Sequence, residues 1–279
     1  MNAMTAAPAS REQAEPHRLP SSGAVLLTQI RYQLRLLVRT PRAMVAGLLL
    51  PSLLLVVSDT GHGTIAPGRL AGLAILGVTI TAWSTNGISL VTAREAGVLK
   101  RWRATPMPPW CYFVGRVVAT VVIGTLAGAV TMVLGVLLYH THMSAPIALG
   151  VLVSLALGAL AWSAAAMAVT GFIPNVASAW PILMLIYLPV VLISGVFGGI
   201  TDEPHWLTSL ASYLPAQPVI NAATRALQYS AGRSLFSVRD IVVLACWTVG
   251  GLVASRFLFR WQPTRRATAR PARSAGAAR

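Results

Sequence analysis

The sequence predicts an all-α integral membrane protein: six transmembrane helices preceded by an amphipathic helix at the membrane interface. Three observations predict it. Of 279 residues, 55% are hydrophobic and only 10% are charged, where a soluble domain carries about 25%. The formal net charge is nevertheless +15, from 22 Lys and Arg against 7 Asp and Glu. The charges are also segregated: from Val117 to Thr201 there is no Asp, Glu, Lys or Arg. A soluble nucleic-acid binder would be basic but not this apolar. A disordered basic tail would lack the Leu, Val and Ile. Two cysteines exclude a secreted disulfide scaffold. The basic residues therefore sit outside the hydrocarbon.

Residues 1–22 are polar and read as a disordered cytoplasmic tail, with no secretory signal peptide. The transmembrane domain is expected over 23–260, and 261–279 reads as a disordered basic tail. Within 23–40, Leu26, Ile30, Leu34 and Leu37 recur at helical spacing, and Arg31, Arg35 and Arg39 recur on another face. A basic amphipathic helix of this kind lies in the plane of the interface and contacts membrane lipids.

The first span is expected near 43–60 and the second near 70–92, separated by a turn over Asp59–Gly68. The second span carries a polar cluster, Trp83, Ser84, Thr85, Asn86 and Ser89. Asn86 is the costliest of these to leave facing lipid, so it faces another helix or a pathway. Trp83, Thr85, Asn86 and Ser89 are the candidates for a translocation path. Next comes the most polar stretch between two spans, Arg94 to Trp110. It predicts a short cytoplasmic helix from Ala93 to Ala104, ended by Pro106. Leu99 and Trp102 would form a small apolar face suited to docking another protein, and Glu95 stands among four bases.

The uncharged run holds three spans, near 113–139, 147–173 and 180–200. The breaks fall at His140–Pro146 and at Pro174-Asn175, where proline and asparagine favour helix ends. Gly124 and Gly128, and Gly195 and Gly199, have the spacing that lets helices approach closely. Pro181 and Pro189 predict a kink or a helix start. The segment 201–237 is too long and apolar for a free external loop, and a re-entrant hairpin is one solution. The last span is expected near 238–259, with Arg256 and Arg260 snorkelling to the interface.

Orientation follows from the bases. Eighteen of the 22 lie before the first span, between spans two and three with Arg116 at the entrance of the third, or at and after the end of the last. The other side has only Arg69, Arg225, Arg233 and Arg239. Both termini are thus expected in the cytoplasm. With one lysine among 22 bases and abundant alanine, the composition is that of a high-GC bacterial genome, which points to the bacterial inner or plasma membrane. The distribution fits topology and needs no nucleic-acid partner.

Catalytic chemistry is thin. There is no His-Glu-x-x-His and no Gly-x-Ser-x-Gly. Cys111 and Cys246 are isolated, and His140 with His142 are too few ligands for zinc, so no metal site is expected. No acidic pair lies within a span to support proton coupling.

Three stretches carry a family resemblance. They are Arg39-Thr-Pro41 leading into a span with Pro51; the run Arg94-Glu-Ala-Gly-Val-Leu-Lys-Arg-Trp-Arg-Ala-Thr-Pro106; and Leu192–Gly199 with Pro204–Leu207, Leu214-Pro215 and Asn221–Leu227. Through them, residues 24–260 resemble ABC-2 type transporter permeases, specifically the daunorubicin/doxorubicin-resistance-like exporters of actinobacteria. Ala93 stands where the family often has a second acid, and Val98 where it often has Thr. The resemblance implies the type V exporter fold, a six-helix half-transporter that forms a homo- or heterodimer with external re-entrant helices at 201–237. It implies a separate ABC ATPase subunit holding ATP and Mg. Arg94, Glu95, Gly97, Leu99, Lys100, Arg101, Trp102 and Arg103 would belong to the coupling helix that docks on that subunit. The cargo would be an amphipathic drug-like or antibiotic-like molecule, with lipids and lipid-linked glycans as alternatives. A P-loop needs Gly-x-x-x-x-Gly-Lys-Ser/Thr. Lys100 is the only lysine and stands between Leu99 and Arg101, so this chain is not expected to be the ATPase. A lipid-modifying membrane enzyme would need an interfacial cluster of acids or histidines, which the sequence lacks. A non-transport immunity protein is the remaining alternative.

Overall fold

A computed structural model of the chain describes residues 21–39, 41–57, 65–98, 101, 109–197, 204–229 and 234–258. The described residues fold as helices: α1 (Ser22–Val38), α2 (Pro41–Val57), α3 (Pro67–Thr79), a π-helical turn (Ile80–Thr85), α4 (Asn86–Glu95), α5 (Pro109–Tyr139), α6 (Ala145–Thr170), α7 (Val176–Ile193), α8 (His205–Ala211), α9 (Ala216–Leu227) and α10 (Val238–Leu258). The second span is continuous from α3 through the π turn into α4.

Among the described residues, five helices are long and apolar enough to cross a membrane: Pro67–Glu95, Trp110–Tyr139, Ala145–Thr170, Val176–Ile193 and Val238–Leu258. The expected first span falls on α2. Its 17 residues reach about 25 Å at the α-helical rise, short of the ~30 Å hydrocarbon thickness. The breaks lie where the polar punctuation predicted them. His140 takes a positive φ of 48° between α5 and α6, and Asn175 caps α7 by accepting the Ser178 N–H at 2.9 Å.

The core forms around α6, which packs against α10, α5, α9, α4 and α3. Small residues make this possible. A Cβ on Gly158 would fall 2.7 Å from Val219 of α9, and one on Gly150 would fall 3.0 Å from Ala226. Hence α9 runs antiparallel to the first half of α6, and its Ala216, Val219, Ala222, Ala223 and Ala226 are buried. Glycines 128 and 135 of α5 likewise admit Val78 and Leu70 of α3.

One expectation is corrected and another is refined. The amphipathic helix α1 runs along α5. Gln29 sits against Gly115, and Leu37 packs with Ala119 and Ile123. Its buried stripe is Gln29, Gln33 and Leu37, while Leu26, Ile30 and Leu34 are only half-buried. Arg31, Arg35 and Arg39 are exposed, as the pattern predicted. The corrected expectation is that no helix starts at Ala93. The second span continues to Glu95 and is closed by Gly97, whose φ of 69° ends a helix cheaply only in glycine. A new turn follows, with the Arg101 N–H donating to the Gly97 carbonyl at 3.2 Å. Leu99, Lys100, Trp102 and Arg103 lie outside the described residues.

Candidate functional site

The polar face of the second span borders a cavity of about 620 Å³. One wall is the span itself, from Ile80 to Val98. Opposite stand Tyr32, Gln33 and Leu36 of α1, Tyr112, Arg116 and Thr120 of α5, and Trp180 of α7. Thr85 and Ser89, two of the four candidate path residues, line it.

Asn86 lies behind that wall, fully buried. Its amide nitrogen donates to the Ser163 hydroxyl of α6 at 3.1 Å, and its Oδ1 accepts from Arg116 Nε at 2.7 Å. The Arg116 guanidinium also donates to the Asn86 carbonyl at 3.0 Å, to the Ser89 hydroxyl, and to the Tyr112 hydroxyl at 3.4 Å. Only 3% of Arg116 is exposed. Asn86 is thus satisfied by helix–helix hydrogen bonds, and it holds the cation at the cavity wall. Sequence reasoning counted Arg116 only as a marker of the cytoplasmic side. The signal that finds it is local: Tyr112, Arg116 and Thr120 form an i, i+4, i+8 polar stripe on an otherwise apolar helix.

Trp83 points elsewhere. Its indole N–H donates to the Leu183 carbonyl at 2.9 Å, and its ring meets Trp162 edge-on at a centroid distance of 5.5 Å. Trp162 in turn meets Tyr187 at 5.7 Å. The two tryptophans border a second, apolar cavity of about 470 Å³, together with Cys246, Trp247, Gly250 and Gly251 of α10. The polar cluster read from the sequence is therefore split between two cavities.

At its C-terminal end the second span is fastened to the turn between α6 and α7. Arg94 is 4% exposed and donates to the carbonyls of Thr170, at 3.0 Å, and Ile173. The Glu95 carboxylate accepts the Val176 N–H at 2.9 Å, at the N-terminus of α7. The Arg94 guanidinium is thus buried against carbonyls of its own chain. Glu95 is exposed but caps α7. Gly97 and Arg101 follow at the surface of this junction. Asn175 supports the same helix start. Asn175→Ala is expected to cost about 1 kcal/mol, read as a fall of roughly 2–4 °C in the unfolding midpoint in detergent.

Among the described residues, no group of three or more His, Cys, Asp or Glu is placed to hold a metal ion. Residues 25–228 match the ABC-2 type transporter family. The chain is also similar to the probable multidrug ABC transporter permease YbhR of Escherichia coli K12 and of Escherichia coli O157:H7. Each is 21% identical over 146 residues, which is 52% of this chain and 38% of the relative. The matched part thus spans well under half the length of those relatives. Together with its several membrane-length apolar helices, a family match over most of its length makes this chain a multi-pass membrane protein that belongs to the ABC-2 type transporter family.

Proposed function

We propose that this chain is the permease subunit of an ATP-binding-cassette exporter, working as a dimer with a separate ATPase subunit that binds ATP and Mg. The cargo is an amphipathic small molecule, drug-like or antibiotic-like, or a lipid, moved outward across the bacterial plasma membrane. In this reading α2 supplies the sixth span, both termini are cytoplasmic, and α8 and α9 form the re-entrant external hairpin. The daunorubicin-resistance-like exporters are the subtype it resembles.

One observation carries the reading. A single continuous helix both lines the 620 Å³ cavity and ends at the segment the ATPase would push. Arg94 and Glu95 fasten that end to the α6–α7 turn. A displacement applied beyond Gly97 would therefore move α4 and the α6–α7 junction as one body. This is the rigid coupling that an ATP-driven change of access needs.

The test is coexpression with a candidate ABC ATPase subunit, copurification, and ATP-dependent export from reconstituted vesicles. Gly97→Pro is the informative variant. Its φ of 69° is closed to proline, whose ring holds φ near −65°. Export should fall by at least tenfold while membrane insertion and copurification persist. Full export by Gly97→Pro would remove the coupling role from this segment, and failure to copurify with any ATPase would remove the export reading.

A further inference from the structure

Arg116 carries a charge that the described part of the protein does not neutralise. A guanidinium is a permanent cation, and a buried charge is ordinarily paired. Here every acceptor around it is neutral: Asn86, Ser89 and Tyr112. The two described acids are engaged elsewhere. Glu95 accepts from Val176, and Asp240 lies 3.9 Å from Arg225. The cation sits seven residues inside α5, about 10 Å along the helix at 1.5 Å per residue, next to a wholly uncharged run. A charge at such depth is expensive and marks a functional site by default.

The surroundings point to what it takes. Ser84 and Thr120 are 3% and 1% exposed and line the same cavity. Neither hydroxyl has a hydrogen-bond partner among the described residues, although buried polar groups are normally satisfied. Four of the five guanidinium donors are used, the Tyr112 bond at 3.4 Å being the long one. Beside this polar patch the wall is apolar: Leu36, Ile80, Ile88 and Trp180. The wall follows the second span for about 20 Å at the helical rise. A cation with spare donor capacity, two unpaired hydroxyls and a long apolar wall form a site for a molecule with an acidic head and an apolar body. We infer that the cavity between α1, the second span, α5 and α7 binds an anionic amphiphile, its phosphate or carboxylate on Arg116 with Ser84 and Thr120 alongside. An incoming oxyanion displaces the Tyr112 hydroxyl and gains the shorter, charge-assisted geometry that arginine offers to phosphate and carboxylate. As a statement about cargo this rests on the export reading. As a binding site it stands without it.

The test uses the full chain in maltoside detergent. Native mass spectrometry counts bound dioleoyl phosphatidic acid against dioleoyl phosphatidylcholine, so that the chains match and only the head differs. The wild type should prefer phosphatidic acid on the order of tenfold, and Arg116→Gln should abolish the preference. Arg116 also ties α5 to α4, so Ile88→Trp serves as a second variant. It fills the apolar wall without touching the guanidinium and should reduce phosphatidic acid binding to the same degree. A triple variant, Arg31→Gln, Arg35→Gln and Arg39→Gln, removes the exposed bases of α1 and should keep the preference. Equal binding of the two lipids overturns the inference. So does a preference that survives Arg116→Gln, or one lost in the triple variant. Displacement of phosphatidic acid by millimolar inorganic phosphate would assign the site to a free anion and overturn the amphiphile. A preserved preference in a chain that shows no ATP-driven export would reject export and retain the site. Export with no preference for acidic cargo would do the reverse.

Discussion

Arg94→Gln should destabilise the fold by about 3 kcal/mol or more, through the loss of two hydrogen bonds from a charged donor. Arg94 is 4% exposed and its guanidinium spans two carbonyls, those of Thr170 and Ile173. Thr170 is the last residue of α6, so the cation sits on the negative end of that helix dipole. Hydrogen bonds to a charged group contribute about 1.5–3 kcal/mol each. Glutamine is shorter and neutral, reaches at most one of the two carbonyls, and leaves the other without that donor. Arg94→Lys should recover only part of the loss, because one ammonium is a point charge and not a fork. The measurement is thermal unfolding of the detergent-solubilised protein, followed by size-exclusion recovery. An unchanged midpoint for Arg94→Gln would show that the α4 end is not held there. The effect should also exceed that of Asn175→Ala, which removes one neutral cap from the same junction.

Much of this architecture is local and therefore legible. Uncharged runs of about 20 residues fold as helices because lipid leaves the backbone no other partners. Pro174-Asn175 marks a true boundary because asparagine caps α7 at its own third residue. The Arg31, Arg35 and Arg39 stripe is exposed because helical periodicity alone places it on one face. What escapes a local reading is the use of single polar residues across helices. Arg94 and Arg116 look alike in sequence, two bases of the positive-inside set. Yet one reaches carbonyls 76 residues away and the other an asparagine 30 residues away. No periodicity encodes such pairings. The same holds for α1, where the leucine stripe implied an apolar inner face. Gly115 lets α1 approach closely enough to bury Gln29 and Gln33 instead. In the segment after the second span, the polar stretch predicted one short helix from Ala93 to Ala104, whereas Gly97 divides it. A glycine can sit inside a weak helix or end it, and which outcome wins depends on where Arg94 and Glu95 are anchored.

Gly251→Val should disrupt the packing of α10, and its neighbour provides the control. Among the described helices α10 packs most extensively on α6, and most of its other faces carry exposed apolar residues, Phe257 at 79% among them. The crossing depends on Gly251. A Cβ there would lie 2.6 Å from the carbonyl carbon of Ala164 and 2.8 Å from its oxygen. These are backbone atoms, so no side-chain rotation relieves the overlap and the two helices must separate. In membranes, close approach through small residues supplies much of the association energy, because lipid is as apolar as the buried surface. Overpacking of this kind costs about 1–3 kcal/mol, occasionally more. Gly251→Ala should already lose part of that, and Gly251→Val the larger share. Gly250 has open space where its Cβ would go. Gly250→Ala should therefore be neutral or stabilising by up to about 1 kcal/mol, the difference in helix propensity. Unfolding midpoints of the three variants, measured in the same detergent, decide the matter. Equal midpoints for Gly251→Val and Gly250→Ala would mean that α10 is not seated on Ala164. The predicted order has Gly250→Ala at or above the wild type, Gly251→Ala below it and Gly251→Val lowest. Separating α10 from α6 should also widen the 470 Å³ aromatic cavity, since Gly250 and Gly251 form one side of it and Trp162 the other. Cys246 faces that cavity and is exposed. Its alkylation by a membrane-permeant maleimide should therefore be at least as fast in Gly251→Val as in the wild type, an independent reading of the same displacement.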